Sequence, residues 1–407
     1  MGVKIQLELI YSTQNLRVWL IEDHLAISKL PNPELHLWNP TASAIWILLL
    51  DGDKTLDEIA LAIEGIFSNC PNNIGPDLKS CLNEWTEQGW IKKFDSLRYS
   101  ICQNIKTTPD VDYAFEKPKF SKSILSKNYQ INKSVFSLTV KSEPSYNFQP
   151  FLSRLVALVS GFTETFDTPK YAFEISIGDD GIYLSENLKC YRKFQTQADA
   201  LSHCIQFFLK SSSDDLTHFV TLHAAGIGKE RSLILSGVSG SGKSTLCALL
   251  SKKGWEYYGD DLVGLSVNKK IEASLIPLPT GISVKSDNWD MLAVEYPGIE
   301  NLEVVKYGDK VAKFLSIPTS SNTSNNKKQV RGIVFPTYLK NSKTSYARLS
   351  AIEALSKLVD AGISLHQDMQ AEEVENFLNF LITHPIYQLS YSDIEEANTW
   401  LSTLLRD

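Results

Sequence analysis

The sequence predicts an α/β fold in the larger part of the chain, preceded by a small α+β unit of winged-helix type. Three observations lead to this prediction. The octapeptide Gly-Val-Ser-Gly-Ser-Gly-Lys-Ser at 237–244 lies between an apolar strand pattern and a helix pattern. Residues 1–100 contain short strand patterns followed by three helix patterns. Beyond the octapeptide, strand and helix patterns alternate to the end of the chain.

The composition is that of an ordinary globular protein. The 407 residues are 43% hydrophobic and 21% charged, which suits two or three domains. The formal net charge of −7 argues against a surface built for nucleic acid. No apolar run approaches the about 20 residues that span a bilayer, and the N-terminus has no signal-peptide pattern. We expect a cytoplasmic chain without nucleic-acid or membrane partners, and leave a homo-oligomer open.

The cysteine and histidine spacings argue against two further classes of protein. None of the six cysteines forms a CxxC pair, so we expect reduced thiols without a disulfide framework or a zinc ribbon. The seven histidines include no HExxH motif, so a transition-metal enzyme is not expected.

Shifts in composition divide the chain into four predicted parts. Residues 1–100 form the first unit, and the polar stretch 101–134 is predicted to be a linker. Residues 135–215 return to strand and helix patterns and form an α+β part. Residues 216–407 form the domain that contains the octapeptide. Within that domain, the Ser-, Asn- and Lys-rich stretch 320–328 is predicted to be a mobile loop.

Each element of the first unit has a local cause. Three short apolar stretches bounded by polar turns are predicted to be strands. The first helix begins where Asn39 caps it and Pro40 occupies the first turn, and the second begins at a capping box of Thr55 and Glu58. The strands are expected at Leu16–Leu20, Leu25–Leu30 and Leu35–Trp38, and the first and third helices at Ala42–Leu50 and Asp77–Gln88.

The later elements follow from the same two periodicities, of two residues for strands and about 3.6 for helices. Strands are expected at Phe136–Val140, Ala172–Ile177, Ile182–Leu184, Cys190–Phe194, Ser232–Ser236, Glu256–Tyr258 and Tyr387–Tyr391. Helices are expected at Leu152–Ser160, Ala198–Lys210, Thr245–Lys252, Ala351–Ala361, Glu372–Ile382 and Asp393–Leu405.

The octapeptide matches the P-loop pattern GxxxxGK[ST]. Its glycines let backbone N–H groups turn inward around phosphate oxygens, and the positive end of the following helix adds to the attraction. Lys243 is expected to reach the β- and γ-phosphates, and Ser244 to ligate Mg²⁺. The alternative is a glycine-rich turn that binds no nucleotide. The predicted nucleotide-binding residues are Gly237, Ser239, Gly240, Ser241, Gly242, Lys243, Ser244 and Thr245.

Four further polar residues are candidates for the chemistry. Asp260 and Asp261 follow the short strand Glu256–Tyr258, where a carboxylate can hold Mg²⁺ or take a proton from a hydroxyl group. The alternative for this pair is a solvated acidic turn. Taken alone, His223 is more simply a structural histidine. Lys285 could place a charge near phosphate, but taken alone it is more simply a surface lysine.

An ordered series of short matches runs through residues 215–395. It comprises Leu222–Ala225, Gly237–Thr245, Gly254, Gly259–Val263, Pro277–Pro279, Ser283–Lys285, Val334–Pro336 and Tyr338. In this series the chain resembles the HPr kinase-like serine kinases. The resemblance implies a P-loop core similar in fold to phosphoenolpyruvate carboxykinase. It also implies the activity of these serine kinases, which transfer the γ-phosphoryl group of a nucleotide to a serine of a protein or peptide. The C-terminal signature by which HPr kinases bind their carrier protein is absent, so neither HPr as substrate nor the reverse phosphorolysis is expected.

The resemblance also implies roles for individual residues. Lys243 and Ser244 keep their P-loop roles, with ATP as the nucleotide. The pair Asp260 and Asp261 supplies the catalytic base and a carboxylate for the metal. Asp261 is assigned beside Ser244 at Mg²⁺, although the division of roles within the pair is left open. His223 matches a histidine near the active site of these kinases.

A second series lies near the N-terminus. It comprises Leu37–Ala42, Ile45-Trp46, Asp51-Gly52, Thr55–Ile59, Leu82 and Glu87–Ile91. In it, residues 16–92 resemble PqqD, the leader-binding module also called the RiPP recognition element. The resemblance implies a module similar to a winged helix, which binds a leader peptide as an added strand between a strand and its third helix. The implied peptide-binding residues are Leu37, Trp38, Leu78, Leu82 and Trp85.

Together the two resemblances imply an ATP-dependent kinase that phosphorylates Ser or Thr of a ribosomally made precursor peptide. A leader-binding module raises the effective concentration of a tethered core peptide at the active site. Two alternatives remain. One is a non-catalytic recognition protein in which nucleotide acts only as a switch. The other is a small-molecule kinase with a merely structural winged helix.

Overall fold

The structure is a computed structural model. It describes residues 7–12, 16–29, 34–67, 74–94, 98–101, 122–131, 134–142, 149–178, 180–187, 192–211, 219–307, 310–316, 328–365 and 369–406. The chain divides into two compact units, Met1–Val111 and Asp112–Asp407.

The first unit is a mixed unit of strands and helices. Its strands are β1 Leu7–Ser12, β2 Leu16–Ile21, β3 His24–Lys29, β4 Glu34–Trp38, β5 Lys54–Thr55, β6 Ile91–Phe94 and β7 Arg98–Ile101. Its helices are α1 Pro40–Leu50, α2 Leu56–Ile66 and α3 Gly75–Glu87. Strands β1 to β4 pair in chain order as an antiparallel sheet, and β5, β7 and β6 form a second, smaller one. The predicted elements of this unit are therefore confirmed, within two residues at their ends.

Local capping explains where the first two helices begin. The Asn39 side chain accepts a hydrogen bond from the Ala42 N–H at 2.9 Å at the start of α1. Before α2, the Thr55 hydroxyl oxygen accepts from the Glu58 N–H at 3.2 Å, and the Glu58 carboxylate accepts from the Thr55 N–H at 2.7 Å. Both predicted caps are confirmed, because each depends only on neighbouring residues.

An aromatic cluster forms much of the core of the first unit. The rings of Trp38 and Trp85 are stacked, with centroids 4.1 Å apart and planes 9° apart. Trp46 meets both rings edge-on, and Trp90 lies 4.7 Å from Trp38. The inner face of α3 adds Leu78, Leu82 and Trp85 to this core.

The second unit contains the remaining described elements. Its strands are β8 Lys122–Ile131, β9 Ser134–Ser142, β10 Thr163–Thr165, β11 Tyr171–Gly178, β12 Gly181–Glu186, β13 Arg192–Phe194, β14 Val220–Leu222, β15 Ala224–Gly228, β16 Ser232–Ser236, β17 Glu256–Gly259, β18 Val263–Val267, β19 Ala273–Ile276, β20 Ile282–Lys285, β21 Val305–Tyr307, β22 Lys310–Leu315, β23 Val330–Tyr338, β24 Ser345–Arg348, β25 Ile363–Leu365 and β26 Ile386–Tyr391. Its helices are α4 Gln149–Val159, α5 Gln197–Ser211, α6 Lys243–Lys252, α7 Trp289–Glu295, α8 Ala351–Ala361, α9 Ala371–Thr383 and α10 Ile394–Arg406.

The first sheet of this unit has the order β10-β8-β9-β11-β12-β13, and α4 and α5 contribute to the apolar core on one of its faces. Strand β8 corrects the predicted linker at 101–134, because 122–131 is a ten-residue strand in register with β9. Among the β8 side chains whose burial is described, only Tyr129 and Ile131 are buried. Most other residues of the strand are polar, which is why composition alone suggested a linker. Residues 102–121 of the predicted linker lie outside the described residues.

The second sheet carries the octapeptide 237–244, called the P-loop below for its sequence pattern, and has the order β17-β15-β16-β23-β26-β24. Strands β16, β23 and β26 are parallel, and α6 and α10 pack on this sheet together with residues of β20. Two smaller groupings are β25-β14-β18-β19 and β20-β22-β21. The architecture is therefore mixed α/β with several sheets.

The C-terminal helices and strand are confirmed as α8, α9, β26 and α10. The predicted loop at 320–328 lies, apart from Lys328, outside the described residues. Within the described ranges, the helices are too short or too polar to span a membrane.

The packing of α3 predicts that Leu82 stabilises the folded first unit. Its side chain is completely buried, whereas its neighbour Asn83 is exposed. We expect Leu82→Ala to lower the free energy of unfolding by about 2–5 kcal/mol, and Asn83→Ala to change it by no more than about 0.5 kcal/mol. Urea unfolding of the full chain measures both values. Equal stability of the two variants would show that α3 does not pack in this way.

Candidate active site

The P-loop connects β16 to α6, and three of its glycines adopt backbone conformations that disfavour other residues. Gly237, Gly240 and Gly242 have φ values of 144°, 93° and 97°. At Gly242 a Cβ atom would also lie 3.3 Å from the Tyr391 hydroxyl oxygen and 3.4 Å from the Tyr338 Cβ. The loop thus turns where glycine allows it, and α6 begins at once at Lys243.

Lys243 lies inside the loop. Its side chain is 6% exposed, and its Nζ donates hydrogen bonds to the carbonyl oxygens of Gly237 and, at 3.2 Å, Val238. Burial lowers the pKa of Lys243, while the negative charges of Asp260 and Asp261 act in the opposite direction. The predicted P-loop lysine and the predicted acidic pair therefore belong to one electrostatic site.

The acidic pair follows β17 at a close approach of two backbones. Gly259 has a φ of 155°, and a Cβ atom there would lie 2.6 Å from the Leu278 carbonyl oxygen. The Leu278 N–H donates to the Tyr258 carbonyl oxygen at 2.7 Å. Asp261 adopts a left-handed conformation with a φ of 69°, which an aspartate tolerates better than most residues. The turn is thus shaped by contact with the 278–283 segment.

Asp260 is the buried member of the pair, at 1% exposure. Its Oδ2 accepts a hydrogen bond from the Ser283 N–H at 3.3 Å, and its carbonyl oxygen accepts from the Thr280 hydroxyl at 3.0 Å. Its Oδ1 is buried without a hydrogen-bond partner among the described residues. Burial, and next the charge of Asp261, raise the pKa of the Asp260 carboxyl group to about 7, although the Ser244 hydroxyl opposes this change. A carboxyl group with this pKa can exchange a proton near neutral pH.

Ser244 and Asp261 are both partly exposed. The Ser244 hydroxyl lies close enough to the Asp260 carboxylate to lower its pKa. The described residues contain no cluster of three or more His, Cys, Asp or Glu side chains of the kind that holds a metal ion. The Ser244 hydroxyl group and the two carboxylates are among the oxygen atoms beside the P-loop.

His223 lies between β14 and β15 at the same end of the sheet. Its neighbour Ala224 pairs with Ser236, which directly precedes the P-loop, and its other neighbour Leu222 pairs with Val263, two residues after the acidic pair. The His223 N–H donates to the Gly362 carbonyl oxygen at 2.9 Å. The topology therefore places the His223 backbone beside both candidate segments.

Lys285 contacts the P-loop, which the sequence alone did not favour. Its Nζ donates a hydrogen bond to the Ser239 hydroxyl oxygen at 3.0 Å, although the side chain stays partly exposed. Thr280 and Ser283 were also missed. The available signal was their position in the Pro277–Lys285 segment, which belongs to the kinase-like series of matches.

The peptide-binding residues predicted in the first unit are mostly core residues. Leu78, Leu82 and Trp85 are at most 5% exposed, and Trp38 is 9% exposed and stacked on Trp85. These four side chains pack against each other in the apolar core, which corrects the expectation that they line a groove. Leu37 alone among the five is partly exposed. Burial could not be read from the sequence, because α3 has the same apolar spacing whether it faces a peptide or its own unit.

Comparisons with known proteins give a match to a family model and matches among solved structures. Residues 31–91 match the family described as Coenzyme PQQ synthesis protein D (PqqD), which confirms the resemblance in the first unit. Among solved structures, the chain is similar to the HPr(Ser) kinase/phosphatase from Coxiella burnetii, at 12% identity and a TM-score of 0.21, over 46% of this chain and 93% of that one. At this TM-score the likeness carries no argument about the site. The search of curated proteins found no match.

The burial of Asp260 predicts a pH dependence of stability. The pKa of its carboxyl group is about 7 in the folded chain, against an ordinary value of 3.8. Between these values the folded chain binds more protons than the unfolded chain. The contribution of Asp260 to stability is therefore full below pH 3.8 and is lost as the pH rises through 7. Each pH unit in this window changes the free energy of unfolding by up to about 1.4 kcal/mol.

We expect Asp260→Asn, which cannot ionise, to be more stable than the wild type at about pH 8. The difference in free energy of unfolding should shrink as the pH falls towards 4. Urea unfolding in EDTA at a series of pH values measures it, with a change at an exposed aspartate, Asp290→Asn, as the control. A difference between Asp260→Asn and the wild type that stays constant over this range would show that Asp260 does not titrate as described.

Proposed function

We propose that the chain is an ATP-dependent kinase that transfers the γ-phosphoryl group to a Ser or Thr of a ribosomally made precursor peptide. In this proposal the second unit is a P-loop kinase of the HPr kinase type, and the first is a leader-binding module of winged-helix type. One observation carries the proposal. The negative charges of the buried Asp260 and of its neighbour Asp261 act on the P-loop lysine, Lys243.

The P-loop supports nucleotide binding through its backbone and its lysine. Gly237, Gly240 and Gly242 let successive N–H groups face the phosphates, and the N-terminus of α6 adds a partial positive charge. Lys243 already donates to two carbonyl oxygens of the loop. A phosphate oxygen is a better acceptor than a carbonyl oxygen for this ammonium group, so the lysine would turn to the β- and γ-phosphates.

The donor atoms beside the P-loop fit Mg²⁺. This ion prefers oxygen ligands and is commonly held by one or two carboxylates, with water and phosphate oxygens completing its shell. The Ser244 hydroxyl and the Asp261 carboxylate would hold it, and the partnerless Oδ1 of Asp260 is a further oxygen of the same set. When bound, Mg²⁺ neutralises charge on the β- and γ-phosphate oxygens.

Asp260 is suited to be the catalytic base. Its raised pKa matches the task of taking a proton from a serine hydroxyl near neutral pH. As the hydroxyl oxygen forms its bond to the γ-phosphorus, the proton passes to the Asp260 carboxylate. The bond from the γ-phosphorus to the bridging oxygen breaks, and ADP leaves with that electron pair. His223 is proposed beside this site because its backbone adjoins both segments.

The peptide part of the proposal rests on the PqqD match at residues 31–91. A module of this kind would hold the leader, with the partly exposed Leu37 of β4 as its candidate contact. A bound leader raises the local concentration of the linked core at the kinase site. Positioning of this sort is a large part of what a phosphoryl-transfer enzyme supplies.

Two alternatives are less well supported. A nucleotide-binding switch without chemistry would not need a buried carboxyl group whose pKa is about 7 beside the P-loop lysine. A small-molecule kinase would not need a PqqD domain.

The kinase proposal predicts the effect of Lys243→Met. The substitution keeps much of the side-chain volume and removes the charge, so transfer of radiolabelled γ-phosphate to a serine-containing precursor peptide should fall by about 100-fold or more. Lys252→Met removes a lysine at the other end of α6, where its Nζ lies over the Tyr296 ring, and should retain activity.

Thermal unfolding of both variants shows whether each is folded. Near-normal transfer by a folded Lys243→Met variant would end the kinase proposal.

A further inference from the structure

We propose that Lys285 binds the terminal phosphate of the nucleotide and allows the site to distinguish a nucleoside triphosphate from a diphosphate. This inference rests on the proposed function, since it concerns the same P-loop. Lys285 lies 46 positions along the chain from Ser239, the loop residue that it contacts.

The side chain of Lys285 reaches into the P-loop. Its Nζ is 3.0 Å from the Ser239 hydroxyl oxygen and 4.0 Å from the position that a Cβ atom on Gly240 would occupy. No carboxylate of the described residues lies within ion-pair distance of this ammonium group. Its charge is therefore directed at a loop whose backbone suits phosphate oxygens.

A second positive charge already occupies the same loop. Lys243 donates to the carbonyl oxygens of Gly237 and Val238, which directly precede Ser239. The two ammonium groups are close enough that Lys285 contributes to lowering the pKa of Lys243. Two like charges converging on one loop repel each other, and a polyphosphate placed between them would reverse the sign of that interaction.

The position of Ser239 identifies which phosphate Lys285 would meet. In a P-loop, the helix N-terminus and the serine that follows the lysine face the phosphate chain. The lysine itself reaches the β- and γ-phosphates. Lys285 contacts the loop next to the carbonyl groups that now hold Lys243. It therefore lies at the β/γ end, where a triphosphate has a group that a diphosphate lacks.

The strand that carries Lys285 is held firmly. Within β20, Lys285 pairs with Ala312 of β22, and the Val284 carbonyl oxygen accepts a hydrogen bond from the Trp289 indole N–H at 3.0 Å. The Ser283 N–H on the same strand donates to the Asp260 carboxylate. One short strand thus fixes both the lysine and the proposed base, which would align the terminal phosphate with the proton acceptor.

The test compares the dissociation constants of Mg·ATP and Mg·ADP, measured by calorimetry on the full chain. Lys285→Met should weaken Mg·ATP binding by about tenfold or more, as expected for the loss of a charged hydrogen bond. Mg·ADP binding should change by no more than about twofold. Lys285→Arg should restore much of the preference for ATP, and the control Lys252→Met should bind both nucleotides as the wild type does.

The outcomes separate this inference from the proposed function. Equal weakening of ATP and ADP, or no change in either, would overturn the role of Lys285 while leaving the kinase proposal intact. Failure of the wild-type chain to bind either nucleotide would overturn both. Because Lys285 is partly exposed, Lys285→Met is expected to fold, and equal thermal unfolding midpoints of variant and wild type would verify this.

Discussion

The buried carboxyl group of Asp260 is the constraint on which the site in the second unit depends. Removing a carboxylate from water is costly, and the Ser244 hydroxyl, the backbone N–H groups of Asp261 and Ser283 and the charge of Lys243 offset only part of that cost. The carboxyl group responds with a raised pKa. The Thr280 hydroxyl and the Ser283 N–H hold Asp260 against the 278–283 segment, which Gly259 allows to approach closely. The shape of the turn and the acidity of the group thus have one origin.

Signals that act over a few residues were sufficient to predict much of the fold. The caps at Asn39 and Thr55, the P-loop with its flanking strand and helix, and the C-terminal elements all depend on neighbours in sequence. The acidic pair could be named as a candidate, but its burial could not, since burial comes from a segment about twenty residues further along the chain. The local sequence identifies candidate groups. Tertiary packing determines their protonation state and the residues that they contact.

The predictions that were wrong share one cause, which is that a side chain's neighbours across the fold are not encoded in its own segment. Strand β8 looks like a linker because most of its residues are polar, and only its pairing with β9 makes it part of a sheet. Leu82 looks equally suited to a groove or a core, and it lies in the core. Lys285 looks like a surface residue until the fold brings it to Ser239. In each case the residue type fitted both interpretations, and only the tertiary contacts of the residue distinguished them.

The account joins a PqqD domain to a proposed phosphate-binding site with a proposed acidic base, and its central claim is that one chain both holds a leader and phosphorylates the core linked to it. The most direct measurement is the rate of γ-phosphate transfer to a full precursor peptide as isolated leader peptide is added. We expect the added leader to inhibit transfer to the full precursor and to leave the slower transfer to a leaderless core unchanged. Transfer to both substrates at the same rate, unaffected by added leader, would contradict the claim.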